Sequence, residues 1–285
     1  MNPLRQILPL LALAATQTPA AAAVEQSALG VSNSGFGYFL VPWQGAPIDA
    51  GNSGCGGNVC VTTRAQASGG DMRATYLQGT GGGYWNGGGS TDVESSGWIT
   101  IVADAPGAAS FVDATLNLML TGARSLSANV GGYAEGSVKL GVDVLGSHAW
   151  LQESSGINTS PPPSQAGHMW RVDSDRIGAA LTHLPVGQPF QLLLSLNSSG
   201  SAWGGATASA STDYRLSLIG QQPAFTLPAG YSAWSSDWSI EHSLYCPGGC
   251  AAVPEPAGWS MMGIGLALLP WARRRLQATF KEDRS

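Results

Sequence analysis

Four cysteines fall in two close pairs, Cys55 with Cys60 in CGGNVC and Cys246 with Cys250 in CPGGC. Thiols this near to each other can close a small disulfide or, as thiolates, hold a zinc ion. The glycines between them let the chain bend sharply enough for a local bridge. Four cysteines allow three connectivities, and pairing 55–60 with 246–250 is the favoured one. Structural cysteine zinc sites belong mostly to reducing compartments, so no metal is expected.

The other reactive residue types are scattered. His148, His168, His183 and His242 form neither His-x-His nor His-Glu-x-x-His, and they read as surface or strand residues rather than ligands. Asp173-Ser174-Asp175 could offer alternating oxygens to calcium, but the rest of a calcium loop is missing and a solvated turn is expected. No Gly-x-Ser-x-Gly elbow occurs. The run QGTGGGYWNGGGS lacks the Lys-Ser/Thr ending of a phosphate loop and reads as a flexible connection. A glycosidase needs two carboxylates facing each other across a cleft. Glu94, Glu135, Glu153 and Glu241 are available, but no linear spacing brings any two together. No catalytic residue and no cofactor is assigned.

Tryptophan is the enriched residue with binding potential. Between the chain ends stand Trp43, Trp85, Trp98, Trp150, Trp170, Trp203, Trp234 and Trp238. Indole faces can stack on sugar rings, but large aromatics also fill cores, each burying about 150–250 Å². Core filling is the expectation for most of them. Trp85 and Trp203 lie in Gly-rich segments and are the expected exposed pair, the candidates for glycan contact.

The elements that must position these residues are strands. Val138, Leu140, Val142 and Val144 alternate with Lys139, Gly141 and Asp143, the period of a half-buried strand. Leu116–Leu120, Phe190–Leu196 and Tyr214–Leu218 repeat the pattern. Weaker candidates are Phe36–Val41, Trp98–Val102, His148–Gln152, His168–Val172 and Tyr231–Ile240. Long loops are expected over Gln44–Asn58, Gln78–Ser90, Ser154–Gly167 and Asn197–Gly205. With 39 glycines, a helical domain would be heavily penalised, at roughly 1 kcal/mol per interior Gly. The fold expected is all-β: a single antiparallel β-sandwich, jelly-roll-like, over residues 24–252.

Both ends read as addresses. Arg5, the apolar run Ile7–Ala15 and the small residues to Ala23 have the order of a secretory signal peptide, residues 1–23. Signal peptidase and the general secretion machinery are the partners this implies. An exported chain meets an oxidising compartment, which favours disulfides at both cysteine pairs. At the other end, residues 253–285 carry Val253-Pro254-Glu255-Pro256, an uncharged apolar stretch to Ala272, and Arg273-Arg274-Arg275. A 16-residue helix there would rise about 24 Å, short of a ~30 Å hydrocarbon core. Trp259 and Trp271 near its ends suit the membrane interface, and the arginines would stay cytoplasmic. Two prolines keep the segment before it extended, a form that a protease cleft can bind.

This C-terminal order resembles the PEP-CTERM sorting signal of Gram-negative bacteria. The resemblance covers about 25 residues. It implies recognition by exosortase, a membrane-embedded cysteine protease, with cleavage near Pro254-Glu255-Pro256. It implies a transient transmembrane helix at the inner membrane, then release to the cell surface or the extracellular space.

Charge excludes one class of partner. Between Val24 and Glu255 there are seven Lys or Arg against sixteen Asp or Glu, a balance of −9. Nucleic-acid binding rests on basic side chains that neutralise phosphates, so it is not expected. The function expected is that of an exported, surface-delivered or matrix-associated structural protein and exosortase substrate, not an enzyme. A polysaccharide-binding sandwich is the alternative, and a glycan hydrolase the third.

Overall fold

A computed structural model describes residues 25–32, 38–81, 85–129, 131–144, 147–158, 167–204, 207–219 and 222–246. Within them, the side chains of residues 32, 81, 85, 86, 147–158, 167 and 204 lie outside the description. The expected signal peptide, the sorting tail and Cys250 also fall outside it.

Alternating side chains build two antiparallel seven-stranded sheets. The first runs β2 (Phe39–Gln44), β1 (Glu25–Ser32), β6 (Trp85–Ala103), β11 (Pro189–Gly204), β8 (Gly132–Val144), β9 (Ser147–Asn158), with β14 (Tyr231–Trp234) also on β6. The second runs β10 (Gly167–Pro185), β7 (Phe111–Ala128), β12 (Thr207–Leu218), β5 (Asp71–Gly81), β4 (Val59–Ser68), β3 (Ile48–Gly56), with β13 (Phe225–Thr226) also on β7. A small hairpin of β15 (Ile240–Glu241) and β16 (Leu244–Tyr245) completes the set. From β5 to β12, the chain changes sheet at every connection except the β8–β9 hairpin.

The period-two pattern decides which face each residue joins. Leu192, Leu194 and Leu196 of β11, Val138 and Leu140 of β8, Leu116 and Leu118 of β7, and Leu216 of β12 are all buried in one cluster between the sheets. A second, smaller cluster holds Val59, Tyr76, Leu126 and Ala202. Polar groups cross the interior as well. Ser198 Oγ donates to Thr212 Oγ1 at 2.6 Å, Thr91 Oγ1 donates to the Thr75 carbonyl at 2.7 Å, and Gln78 Nε2 donates to the Ala202 carbonyl at 3.0 Å. These bonds run from one sheet to the other and compensate the hydroxyl and amide groups that make them for the water they leave.

The glycine-rich stretches are not the long loops expected. Residues 78–81 end β5, 85–90 begin β6, and 197–204 end β11. Most of 44–58 likewise belongs to β3. The reason is space across the core. A Cβ on Gly87 would lie 2.3 Å from the Gln78 amide, and one on Gly200 would lie 2.8 Å from the Tyr76 ring. Inward-facing glycines leave room for large side chains of the opposite sheet, while their backbone groups stay paired in the ladder. Residues 231–240 are not one strand either: β14 stops at Trp234, and a turn leads to β15.

Three of the tryptophans expected in the core are not there. Trp238 is 1% exposed and packs on Gly97, but Trp43, Trp98 and Trp170 are 45%, 40% and 66% exposed, while Trp203 is exposed as expected, at 39%. Aliphatic side chains with Tyr76, Tyr214, Phe190 and Phe225 fill the interior instead. Asp173-Ser174-Asp175 is strand, not turn. It lies within β10, so Asp173 points inward and Ser174 outward.

Candidate functional site

The outer face of the first sheet carries a concavity of about 490 Å³ lined by Trp43, Trp98, Glu25, Asp143, Gln191 and Leu193, among others. Each residue gets there by register. On β6, Ile99 and Ile101 are buried, so Trp98 must face out. It stands opposite Gln191 of β11, and the next row outward-facing row is Glu25–Ser96–Leu193–Asp143 across four strands. Trp43 arrives differently. The β1–β2 ladder pairs Gln26 with Gln44 but Ala28 with Val41, so β2 holds one extra residue there. Such a bulge re-aims the local side chains, and Pro42 within it fits an edge strand.

The concavity's polar groups are already partly oriented. Gln191 Nε2 donates to Ser96 Oγ at 3.2 Å, and the Trp98 backbone N–H donates to Asp237 Oδ2 at 3.0 Å. Two exposed indoles beside carboxylate, amide and hydroxyl groups can stack on a ring and accept or donate hydrogen bonds around it. That is the chemistry of reversible binding to a polyhydroxylated ligand.

Of the two tryptophans singled out from sequence, Trp203 lies on this same face at the far end of β11, in a strand rather than a loop. Its ring stands 5.4 Å from that of Tyr133, its cross-strand neighbour on β8. Tyr133 donates its hydroxyl to Glu135 Oε2 at 2.6 Å. This bond, with burial and the Glu135 charge behind it, pushes the Tyr133 pKa up to about 12. Trp85 pairs with Gly204 in the β6–β11 ladder, and its side chain lies outside the described residues. Trp43 and Trp98 were missed by the sequence reading. For Trp98 the signal was there: it alternates with Ile99 and Ile101 and so falls on the polar phase.

The carboxylates considered for catalysis are dispersed. Glu94 accepts from Ser27 Oγ at 3.1 Å, Glu135 from Tyr133 at 2.6 Å, and Glu241 is exposed on β15. Glu153 lies on β9, its side chain outside the described residues. Among the described residues, no group of three or more His, Cys, Asp or Glu could hold a metal ion. His168 and His242 are exposed, and His183 stacks on Phe111 at 3.9 Å between ring centroids.

The cysteines form a bridge at the edge of the other sheet. Cys55 and Cys60 face each other across the β3–β4 hairpin and are joined by a disulfide. Cys246 is also disulfide-bonded. Cys250 and the sorting residues Val253, Pro254, Glu255, Pro256, Arg273, Arg274 and Arg275 lie outside the described residues.

The fold and this surface define the class: an all-β, antiparallel sandwich-like domain with aromatic groups on a sheet's outer face. No family model and no curated protein matches the chain. Among solved structures it is aligned with the infectious bursal disease virus Gt strain at 10% identity, covering 95% of this chain and 74% of that one, with a TM-score of 0.15. A second alignment, to T=1 particles derived from infectious bursal virus, has 11% identity, covers 88% of this chain and 67% of that one, and has a TM-score of 0.11.

Proposed function

We propose that this chain is an exported structural protein of a Gram-negative bacterium, delivered to the cell surface or extracellular matrix by an exosortase-type sorting system. The observation that carries the reading is the C-terminal order of Val253-Pro254-Glu255-Pro256, an apolar stretch and Arg273-Arg274-Arg275. The Cys55–Cys60 disulfide is consistent with an oxidising compartment. Signal peptidase, the secretion machinery and exosortase are the partners in this reading, with no cofactor and no catalysis of its own. The jelly-roll description belongs to the same reading and rests on the repeated sheet changes between β5 and β12.

The test is intact mass at both termini, in cells with and without the sorting protease. Loss of residues 1–23 in both, and loss of Arg273–Ser285 only where the protease is present, is the expected result. A surface protein that retains Arg273–Ser285 in protease-positive cells rejects the reading.

A second reading, a polysaccharide-binding module, is favoured by one observation: Trp43 and Trp98 are exposed together at a concavity with carboxylate and amide groups.

A further inference from the structure

We propose that the outer face of the first sheet is a track for a single uncharged linear polysaccharide chain, running along β11 and gripped by aromatic rings at both ends. The inference rests on the polysaccharide-binding reading and goes beyond it in naming the ligand's charge and its extended form.

Continuous register carries the geometry. β11 pairs with β6 from Pro189 to Gly204 without a shift, and with β8 from Leu192 to Gly204. Every odd-numbered residue of β11 from Gln191 to Trp203 therefore faces the same way. Gln191 marks the Trp43–Trp98 concavity, and Trp203 with Tyr133 marks the other end. Twelve residues of strand separate them, which at 3.3–3.4 Å per residue is about 40 Å. Between the ends β11 presents Ser195, Asn197, Ser199 and Ser201, a line of hydroxyl and amide groups with a single aliphatic side chain, Leu193, beside the concavity. Two stacking stations joined by hydrogen-bonding groups fit a ligand that repeats a ring with hydroxyls along its length. A compact ligand would use one station and leave the other idle.

The charge of the face decides which polysaccharide. Among the described residues, the outward positions of β1, β6, β11 and β8 carry Glu25, Asp92, Glu94, Glu135 and Asp143 against Lys139. Asp92 accepts from Asn197 Nδ2 and Ser90 Oγ, and Glu94 accepts from Ser27 Oγ. Each of these carboxylates can accept further hydrogen bonds, and sugar hydroxyls supply them. A polyuronate or sulfated chain would meet like charge along the track, which disfavours it.

The experiment uses the protein as secreted by the cell, with neutral glucans: the disaccharide, the trisaccharide and the parent polymer, with polyglucuronate as the charged comparison. Binding to the polymer exceeds binding to the trisaccharide by at least about tenfold, because the second station engages at high effective concentration. Trp98→Ala and Trp203→Ala each weaken the polymer by about the full tenfold gain and the trisaccharide by less, because a short ligand keeps the station that remains. Thermal melts of both variants remain cooperative, which shows that the fold is kept, since neither side chain belongs to the buried core. Equal affinity for the trisaccharide and the polymer, no effect of Trp203→Ala on the polymer, or tighter binding of polyglucuronate each overturns the track while leaving glycan binding intact. No binding of any glucan removes both.

Discussion

Tyr214 of β12 donates its hydroxyl to Asp173 Oδ2 of β10, two strands away, by passing over Gly122 on β7 between them. The three residues form one cross-strand row, and only a residue without a side chain fits the middle of it. A Cβ on Gly122 would lie 2.4 Å from both the Asp213 carbonyl oxygen and Tyr214 Cδ1. Tyr214→Phe leaves the buried carboxylate short of one donor and is expected to cost about 1–3 kcal/mol. Gly122→Ala is expected to cost more, because backbone must move. Chemical denaturation of the two variants checks the order.

The same carboxylate holds charge in the interior. Arg124 is fully buried 3.5 Å from Asp173 Oδ2, and Arg171 Nε donates to Oδ1 at 2.5 Å. Asp173→Ala takes the carboxylate away from a buried guanidinium and is expected to cost about 3–5 kcal/mol. Asp175→Ala, two residues along and exposed, should stay within about 0.5 kcal/mol of the parent. Equal melting temperatures for the two variants would show that Asp173 has no special role.

Stability should fall with acid through the ion pairs on the outer face of the second sheet. Arg73 donates to both oxygens of Asp213, at 2.8 Å for Nε and 2.5 Å for Nη2. This bond, against the opposing effect of burial, holds the Asp213 carboxyl below its usual 3.8. A folded pKa below the unfolded one means the contribution is complete above pH 3.8 and is lost as pH falls through the folded value. Arg73→Gln should flatten that acid limb in melts followed against pH. On the alkaline side, Tyr133 is raised from 10.0 to about 12, so its contribution is complete below pH 10 and lost as pH climbs towards 12.

Opening the Cys55–Cys60 bridge by a double Ser substitution should lower stability by about 2 kcal/mol at most, because the loop it closes is short. The β3–β4 ladder continues to Ile48–Ala67, so the hairpin persists without the bridge. Thermal melts of the variant, with and without reductant on the parent, measure the difference.

Trp238 is the one tryptophan buried in the core among the described side chains. It packs on Gly97, where a Cβ would lie 2.6 Å from Nε1. Trp238→Ala should cost about 3–5 kcal/mol, and Gly97→Ala should also destabilise by forcing the ring out of place. Surface substitution of Trp170, by contrast, should leave the melt unchanged.

Much of the architecture was written in the period of the chain. The alternation at 116–120, 138–144, 190–196 and 214–218 marked real strands and told the inward face of each. So did Ile99 and Ile101, which place Trp98 outside. The local cysteine pair at 55 and 60 was legible because a bridge over so few residues needs no distant partner. What period and spacing could not supply is contact across strands and sheets. Glycine-rich runs looked like loops because their role, making room for Gln78 and Tyr76, depends on a facing sheet. Asp173 looked like a solvated acid until β7 and β12 brought Arg124 and Tyr214 to it. Trp43 reaches the concavity through a bulge that exists only in the pairing of β2 with β1. Amino-acid order alone set strand phase, since alternation is local. Register between strands set which groups meet, because that is a relation between segments far apart in the chain.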